Sequence, residues 1–253
     1  MSPLIVLCLL FLFLFLGLPI YLSLGFLAMI LFWYDATPLV SLPQLLVDHL
    51  NSETLLAVPL FVIAATFMQK GGVAVALIDS AQVWVGRARG GLALVCVVAC
   101  TIFAAICGSS VATAVAIGSI LIPAMINRQY APHFAIGTVA AAGTLGILIP
   151  PSLAMIVYAV IAEESVPRLF MAGVIPGIMQ ASMFAAFIMY YARANNYPVE
   201  PDIPREQFIA ANIRALPALL IPIIVLGGIY TGIMTVTEAA GVAAVVAMIE
   251  GVF

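Results

Sequence analysis

Two short interruptions inside an apolar stretch constrain this chain more than any other feature: Cys107-Gly108-Ser109-Ser110 and Gly143-Thr144-Leu145-Gly146-Ile147-Leu148-Ile149-Pro150-Pro151-Ser152. Both fall between Gly91 and Glu163, in helical runs expected at mid-membrane depth. In lipid, an interrupted helix leaves backbone N–H and C=O groups without partners, so it persists only where it is buried in protein or lines a polar cavity. A single Gly or Pro in a membrane helix reads as a plain kink or a close contact. Two compound breaks within about 45 residues read instead as the discontinuous helices that mark a transporter site.

The second break can be taken atom by atom. Pro150 and Pro151 have no N–H, so the carbonyls of Gly146 and Ile147 lose their helical donors and are expected to be free for a desolvated cation. Pro151 suits the first turn of a new half-helix, with the Ser152 hydroxyl beside its orphan N–H groups, so the same break presents a weakly positive N-terminus. At the first break, Gly108 permits a tight reversal, and Ser109 and Ser110 are placed to cap a helix beginning near Val111.

Hydrophobic residues make up 65% of the 253 positions and charged residues 8%. No soluble domain of this size tolerates that balance, so the chain reads as an all-α polytopic membrane protein. The net charge of −3 says little about partners, because the charges sit in connections, and no basic stripe or aromatic-basic interleaving points to nucleic acid. Cys8, Cys96, Cys100 and Cys107 lie in apolar runs without a CxxC pair or a nearby histidine. They read as small buried hydrophobes, with no disulfide and no thiolate-held metal expected.

In order, residues 3–33 are almost wholly apolar and broken once, at Gly17-Leu18-Pro19. One helix of about 45 Å or two of about 22 Å both fit, against a hydrocarbon core of about 30 Å. Neither a basic leader nor a small-residue cleavage site precedes this run, so it is expected to stay in the mature protein. Residues 35–53 carry acidic groups and His49 but no Lys or Arg, which places them outside the cytoplasm; Leu42, Leu45, Leu46 and Leu50 recur at helical spacing there, as in an interfacial helix. Residues 55–68 cross inward to Lys70, and Val73–Val85, ending at Arg87 and Arg89, reads as an amphipathic helix on the cytoplasmic surface.

Residues 92–106 give about 22 Å of helix, too short to span comfortably, so they are expected to form one arm of a re-entrant hairpin. Residues 111–126 form the second arm and return to Arg128, and His133 beyond it, a lone histidine beside a membrane entry, reads as structural or merely solvated. Residues 134–142, the Gly143–Ser152 break and residues 153–162 make a broken crossing, and 169–191 a clean span ending near Arg193. Residues 195–214 read as a polar connection with a short surface helix, followed by helices over 216–230 and 239–253; Thr235-Val236-Thr237-Glu238 is a capping-box pattern.

The run Cys107-Gly-Ser-Ser-Val-Ala-Thr113, then Ile117-Gly-Ser-Ile-Leu-Ile-Pro123, then Gly143 through Ser152 resembles the large membrane subunit of tripartite ATP-independent periplasmic (TRAP) transporters. So do Val58-Pro-Leu-Phe61 leading to Gly71-Gly72, Arg89-Gly-Gly-Leu92, and Thr235-Val-Thr-Glu-Ala-Ala240, and the likeness covers nearly the whole chain. The resemblance implies a sodium-driven, inverted-repeat elevator carrier for organic acids, C4-dicarboxylates or similar carboxylates. It would work in the bacterial inner membrane with a small four-helix membrane subunit and an extracytoplasmic solute-binding protein. It needs no cofactor, sodium being the coupling ion. The chain corresponds to the first repeat, the N-terminal half of such a subunit.

Carried over residue by residue, the implied sodium and substrate site comprises Gly108, Ser109, Ser110 and Thr113 on the hairpin with Gly143, Thr144, Gly146, Ile147, Pro150, Pro151 and Ser152 on the broken helix. Ser109, Ser110, Gly146 and Ile147 are the sodium candidates. Thr113 stands where some branches of the family have Asp, and Val236 where Pro is common. By this reading residues 1–90 hold scaffold helices and a cytoplasmic arm helix, 91–165 half of the transport domain, and 166–253 a scaffold helix, a cytoplasmic connection and the start of the second repeat.

Other classes fit less well. A channel needs a polar stripe or charge rings along a pore. An intramembrane enzyme needs a nucleophile with a base or a metal cluster, and the apolar runs hold serines but no histidine. An ion-coupled carrier working without a binding protein, and a non-transporting scaffold fragment, are the alternatives that stay open.

Overall fold

The apolar runs, punctuated by glycine and proline, fold into helices throughout the described residues, with no strand among them. The computed structural model describes residues 2–195, 197 and 204–252. The chain divides into two units, Met1–Ser52 and Glu53–Phe253.

In the first unit, the run left open between one helix and two is two: α1 (Pro3–Phe15) and α2 (Ile20–Tyr34). Gly17, at φ +79°, turns the chain in the left-handed region, and Pro19 caps α2. Buried Ser23 donates its hydroxyl to the carbonyls of Leu18 and Pro19 at 3.4 and 3.2 Å, and the Pro19 oxygen also receives the Ser23 N–H at 3.0 Å, so this residue ties the start of α2 to the break. The leucine-spaced segment forms α3 (Ser41–Leu50), with Leu45, Leu46 and Leu50 exposed. Cys8 on α1 departs from expectation: it is exposed, because within this unit the apolar surface of α1 has only α2 to pack against, whereas Cys96, Cys100 and Cys107 are buried.

In the second unit, a 3-10 turn at Glu53–Leu56 leads into α4 (Ala57–Lys70), followed by α5 (Val73–Val85), α6 (Gly91–Cys107), α7 (Ser110–Asn127) and α8 (Pro132–Gly143). After a second 3-10 turn, Thr144–Ile147, come α9 (Leu153–Ala162), α10 (Val166–Ala194), α11 (Arg205–Tyr230) and α12 (Val236–Val252). The core is rich in small side chains, with Ala64, Ala93, Ala99, Ala135, Ala142, Ala239 and Ala243 all buried. Helices in an apolar surround gain by such close approach, since dispersion and not water exclusion holds them together. Four helical stretches, the first including the turn before α4, are long and apolar enough to cross a membrane: Glu53–Lys70, Ser110–Asn127, Val166–Ala194 and Arg205–Tyr230. The protein is a multi-pass membrane protein.

Helices α6 and α7 pack side by side as a hairpin, α8 lies against both, and α10 packs on α6, α8 and α9. Helix α4 runs along α12, and α5 packs on α11 and α6. The expected division between a surface helix ending at 214 and a membrane helix from 216 is corrected: α11 is continuous through both, although Pro217 and Pro222 remove two helical donors. Its first turns are held by α5. Asn212 Oδ1 accepts from Ser80 Oγ at 3.1 Å and Trp84 Nε1 at 2.9 Å, and the Trp84 and Phe208 rings meet at 5.3 Å. Part of the expected polar connection, residues 196 and 198–203, lies outside the described residues.

The capping box forms as expected at α12. Glu238 Oε2 accepts the Thr235 N–H at 2.7 Å, and Thr235 Oγ1 accepts the Glu238 N–H at 3.2 Å.

Candidate functional site

The first break is a one-glycine reversal. Gly108 sits at φ +61°, a conformation that costs a side-chain-bearing residue energy, and its N–H bonds the Ala104 carbonyl at 2.9 Å to close α6. Ser109 is extended and is the cap of α7, its Oγ accepting the Ala112 N–H at 3.4 Å. Ser110 is the first residue of α7, not a second cap, and its hydroxyl makes no hydrogen bond to another described residue. Thr113 is fully buried and turned back on the loop: its hydroxyl donates to the Ser109 carbonyl at 2.8 Å, which also receives the Thr113 N–H at 3.0 Å. The Cys107 thiol is a third, weaker donor to the same oxygen at 3.6 Å.

The second break opens with the Thr144–Ile147 turn, where the Leu145 carbonyl receives the N–H groups of both Leu148 (3.1 Å) and Ile149 (2.9 Å). Pro150 and Pro151, joined by a cis peptide bond, follow, and Ser152 caps α9. Two expectations are corrected here. Pro151 is not in the first turn of the new half-helix but precedes its cap. The Ser152 hydroxyl does not serve the orphan N–H groups of α9 but donates backward to the Ile147 carbonyl at 2.8 Å. The Ile147 oxygen is therefore not free: the proline at 151 removes its backbone donor, and a buried serine one residue later replaces it.

The two breaks interlock. The Leu153 N–H donates to the Gly108 carbonyl at 3.2 Å, so the first peptide group of α9 is tied to the hairpin tip. A Cβ on Gly108 would come within 2.6 Å of the Pro151 carbonyl oxygen, and one on Gly146 within 2.7 Å of the Ser109 carbonyl carbon and oxygen. A Cβ on Gly143 would meet that of Ala114 at 2.7 Å. At Gly108 and Gly146 backbone meets backbone, and at Gly143 backbone meets the methyl group of Ala114, so all three positions need glycine, as at close helix contacts generally in membranes.

Gly108, Ser109, Ser110, Gly143, Gly146, Pro151 and Ser152 are thus brought together, with Thr113 supporting the tip from behind. Thr144 is not part of this cluster. It is exposed and turned toward α10, its hydroxyl donating to the Ala141 carbonyl at 2.6 Å and accepting Gln180 Nε2 at 2.9 Å. Ile147 offers only its backbone, since its side chain is exposed, and Pro150 is buried.

Gln180 is one of three positions that the sequence reasoning missed; the others are Gly173 and Gly177. A Cβ on Gly173 would lie 2.6 Å from the Leu148 carbonyl oxygen, and one on Gly177 2.9 Å from Ile149. The signal was available as Gly173-x-x-x-Gly177 followed by a lone amide inside a 29-residue helix. No charged side chain falls between 107 and 113 or between 143 and 152. The local electrostatics are those of four helix ends, the C-termini of α6 and α8 and the N-termini of α7 and α9, each with about half a charge.

Residues 7–253 match the family model described as tripartite ATP-independent periplasmic transporter, DctM component. Over 232 residues the chain is 48% identical to a C4-dicarboxylate TRAP transporter large permease protein from Vibrio cholerae, covering 90% of this chain and 51% of the relative. A protein of the same description from Rhodobacter capsulatus is 40% identical over 269 residues, covering 100% and 61%. An isethionate TRAP transporter permease protein from Oleidesulfovibrio alaskensis is 40% identical over 244 residues, covering 96% and 38%. The chain spans about half the length of these relatives, which are transporter permease subunits and not enzymes. A helical membrane chain built around two interlocked breaks, matched by that model over nearly all of its length, belongs to the DctM-component family of tripartite ATP-independent periplasmic transporters.

Proposed function

We propose that this chain forms the first-repeat portion of the large membrane subunit of a sodium-driven transporter that imports organic acids, C4-dicarboxylates or similar anions, across the bacterial inner membrane. Its partners in this reading are a small four-helix membrane subunit and an extracytoplasmic solute-binding protein. The observation that carries the proposal is the interlock itself: the Gly108 carbonyl bonded to the Leu153 amide at 3.2 Å, with Gly146 pressed against Ser109. Four helix ends converge on one uncharged point. The carbonyl ends of α6 and α8 suit a cation, and the amide ends of α7 and α9 suit an anion.

Sodium is the co-transported ion. Its ligands are the Gly146 carbonyl and the hydroxyls of Ser109 and Ser110. The Ile147 carbonyl adds its second lone pair, the first being taken by Ser152. The Ser109 hydroxyl likewise keeps one lone pair after accepting from Ala112. Thr113 and Ser152 hold the donors in place without touching the ion. The bound cation then offsets the negative charge of an organic acid, and relatives named for C4-dicarboxylate and isethionate transport support an anionic substrate.

In the elevator reading, α6 to α10 move as one body against the remaining helices. The contacts of Gly173 with Leu148 and of Gly177 with Ile149 are too close to slide, which favours grouping α10 with the hairpin and not with the scaffold. The inverted second repeat would complete the solute site.

The test is sodium-dependent uptake by the full-length assembly in proteoliposomes. In Gly146→Ala the new methyl group must displace Ser109, so the sodium concentration for half-maximal uptake should rise by about tenfold or more, the equivalent of about 1.4 kcal/mol. Gly137→Ala, whose Cβ meets nothing within 4 Å, is the matched control and should leave that value unchanged. An unaltered sodium dependence in Gly146→Ala rejects the site.

A further inference from the structure

Helix α10 meets the second break at three points in successive turns. Gly173 and Gly177 press on the Leu148 carbonyl and on Ile149, where an added Cβ would lie 2.6 and 2.9 Å away, and Gln180 Nε2 donates to the Thr144 hydroxyl oxygen at 2.9 Å. Steps of four and three residues put all three on one face of α10, over about 10 Å of helix. Thr144 precedes the Gly146 and Ile147 carbonyls in the chain, and Leu148 and Ile149 follow them. Helix α10 therefore grips the break on both sides of the proposed sodium ligands.

The three grips differ in kind. Those of the glycines are steric and set how closely the helix approaches. That of Gln180 is directional, and its sense is fixed by counting protons. Thr144 has one hydroxyl hydrogen, used on the Ala141 carbonyl at 2.6 Å, so toward Gln180 its oxygen can only accept and the amide must present N–H. Ala141 lies in the last turn of α8. Gln180, Thr144 and Ala141 thus form a chain of two hydrogen bonds, from α10 through the first residue of the Thr144–Ile147 turn to the end of α8. In an apolar surround a side-chain amide has few other partners, which favours such a bond between helices.

We infer that Gln180 is a positioning residue for the sodium site: it holds the Thr144–Ile147 turn in the shape that aims the Gly146 and Ile147 carbonyls, without touching the ion. The role presupposes the sodium site proposed for this chain. Ligands held in place before the ion arrives cost less to order on binding, so loss of the Gln180 bond shows as weaker binding.

The test is sodium binding to the purified full-length assembly by calorimetry, with affinity and the number of sites read separately. Gln180→Leu, similar in size but without a donor, should raise the sodium Kd about threefold, the weight of one hydrogen bond between membrane helices, at an unchanged number of sites. Thr144→Val should raise it at least as much, and Gln180→Leu added to Thr144→Val should raise it no further, because the bond is already gone. Thr144→Ser keeps the hydroxyl and should recover most of the affinity that Thr144→Val loses. A merely structural role lowers the number of competent sites and leaves the Kd of the remainder unchanged. That outcome in Gln180→Leu, additive losses in the double variant, or a Thr144→Ser as weak as Thr144→Val overturns the inference. Gly146→Ala in the same experiment separates the role from the site. If it weakens sodium binding and Gln180→Leu does not, the site stands and the positioning role falls; if neither does, or the wild type binds no sodium, the site itself is wrong and the role falls with it.

Discussion

At the scale of single residues, Ser152 is the most informative position. Its hydroxyl restores to Ile147 the hydrogen bond that Pro151 removed, and it is fully buried. Ser152→Ala leaves a buried carbonyl without a donor, which costs about 1–3 kcal/mol. The expected result is a lowered unfolding temperature of the purified protein, larger than for Ser182→Ala, whose hydroxyl merely back-bonds an exposed turn of α10. Equal shifts for the two would show that the Ile147 carbonyl finds water or another donor. The sequence alone could not assign this bond. Proline chemistry shows which oxygens lose a partner, but only the path of the chain through 148–151 decides which hydroxyl comes back to one of them.

At the scale of elements, the break between α8 and α9 depends on Pro150 and Pro151, since both neighbouring segments are apolar and helix-compatible. Pro150→Ala with Pro151→Ala restores two donors to the Gly146 and Ile147 carbonyls. The segment is then free to close into a continuous helix, which would pull Leu153 away from Gly108. Calorimetry on the full-length transporter should show sodium binding lost while helix content by circular dichroism rises slightly; retained sodium affinity would mean that these carbonyls are not ligands. Helices and breaks were legible because glycine, proline and the length of apolar runs are local signals: Val73–Val85 and Leu153–Ala162 fall where the sequence places them. What was illegible is long-range. The Gln180–Thr144 bond, the seating of α10 glycines on Leu148 and Ile149, and the fusion of 205–214 into α11 through Asn212 all depend on which helix lies beside which.

At the scale of the whole molecule, the chain spans about half of its relatives, and the site described lies within that half. Under the proposed function, the 253-residue chain reconstituted alone should show no sodium-driven uptake of succinate, whereas the full-length subunit with the proposed small membrane subunit and binding protein should; uptake by the short chain would show that a single repeat suffices. The extensive contact of α4 with α12, where Gly71 approaches Gly251 too closely for any side chain, should nevertheless let the short chain fold.

The main-chain bond between Leu153 and Gly108 has one more consequence, for how this site tolerates mutation. A backbone donor belongs to every amino acid but proline, so position 153 is free to change its side chain and keep the bond. The acceptor end has no such freedom, because a φ of +61° and a carbonyl oxygen 2.6 Å from where a Cβ would stand admit glycine alone. Drift across this one bond is therefore lopsided: its donor end at 153 keeps the bond with any residue but proline, while its acceptor end at 108 has one permitted letter.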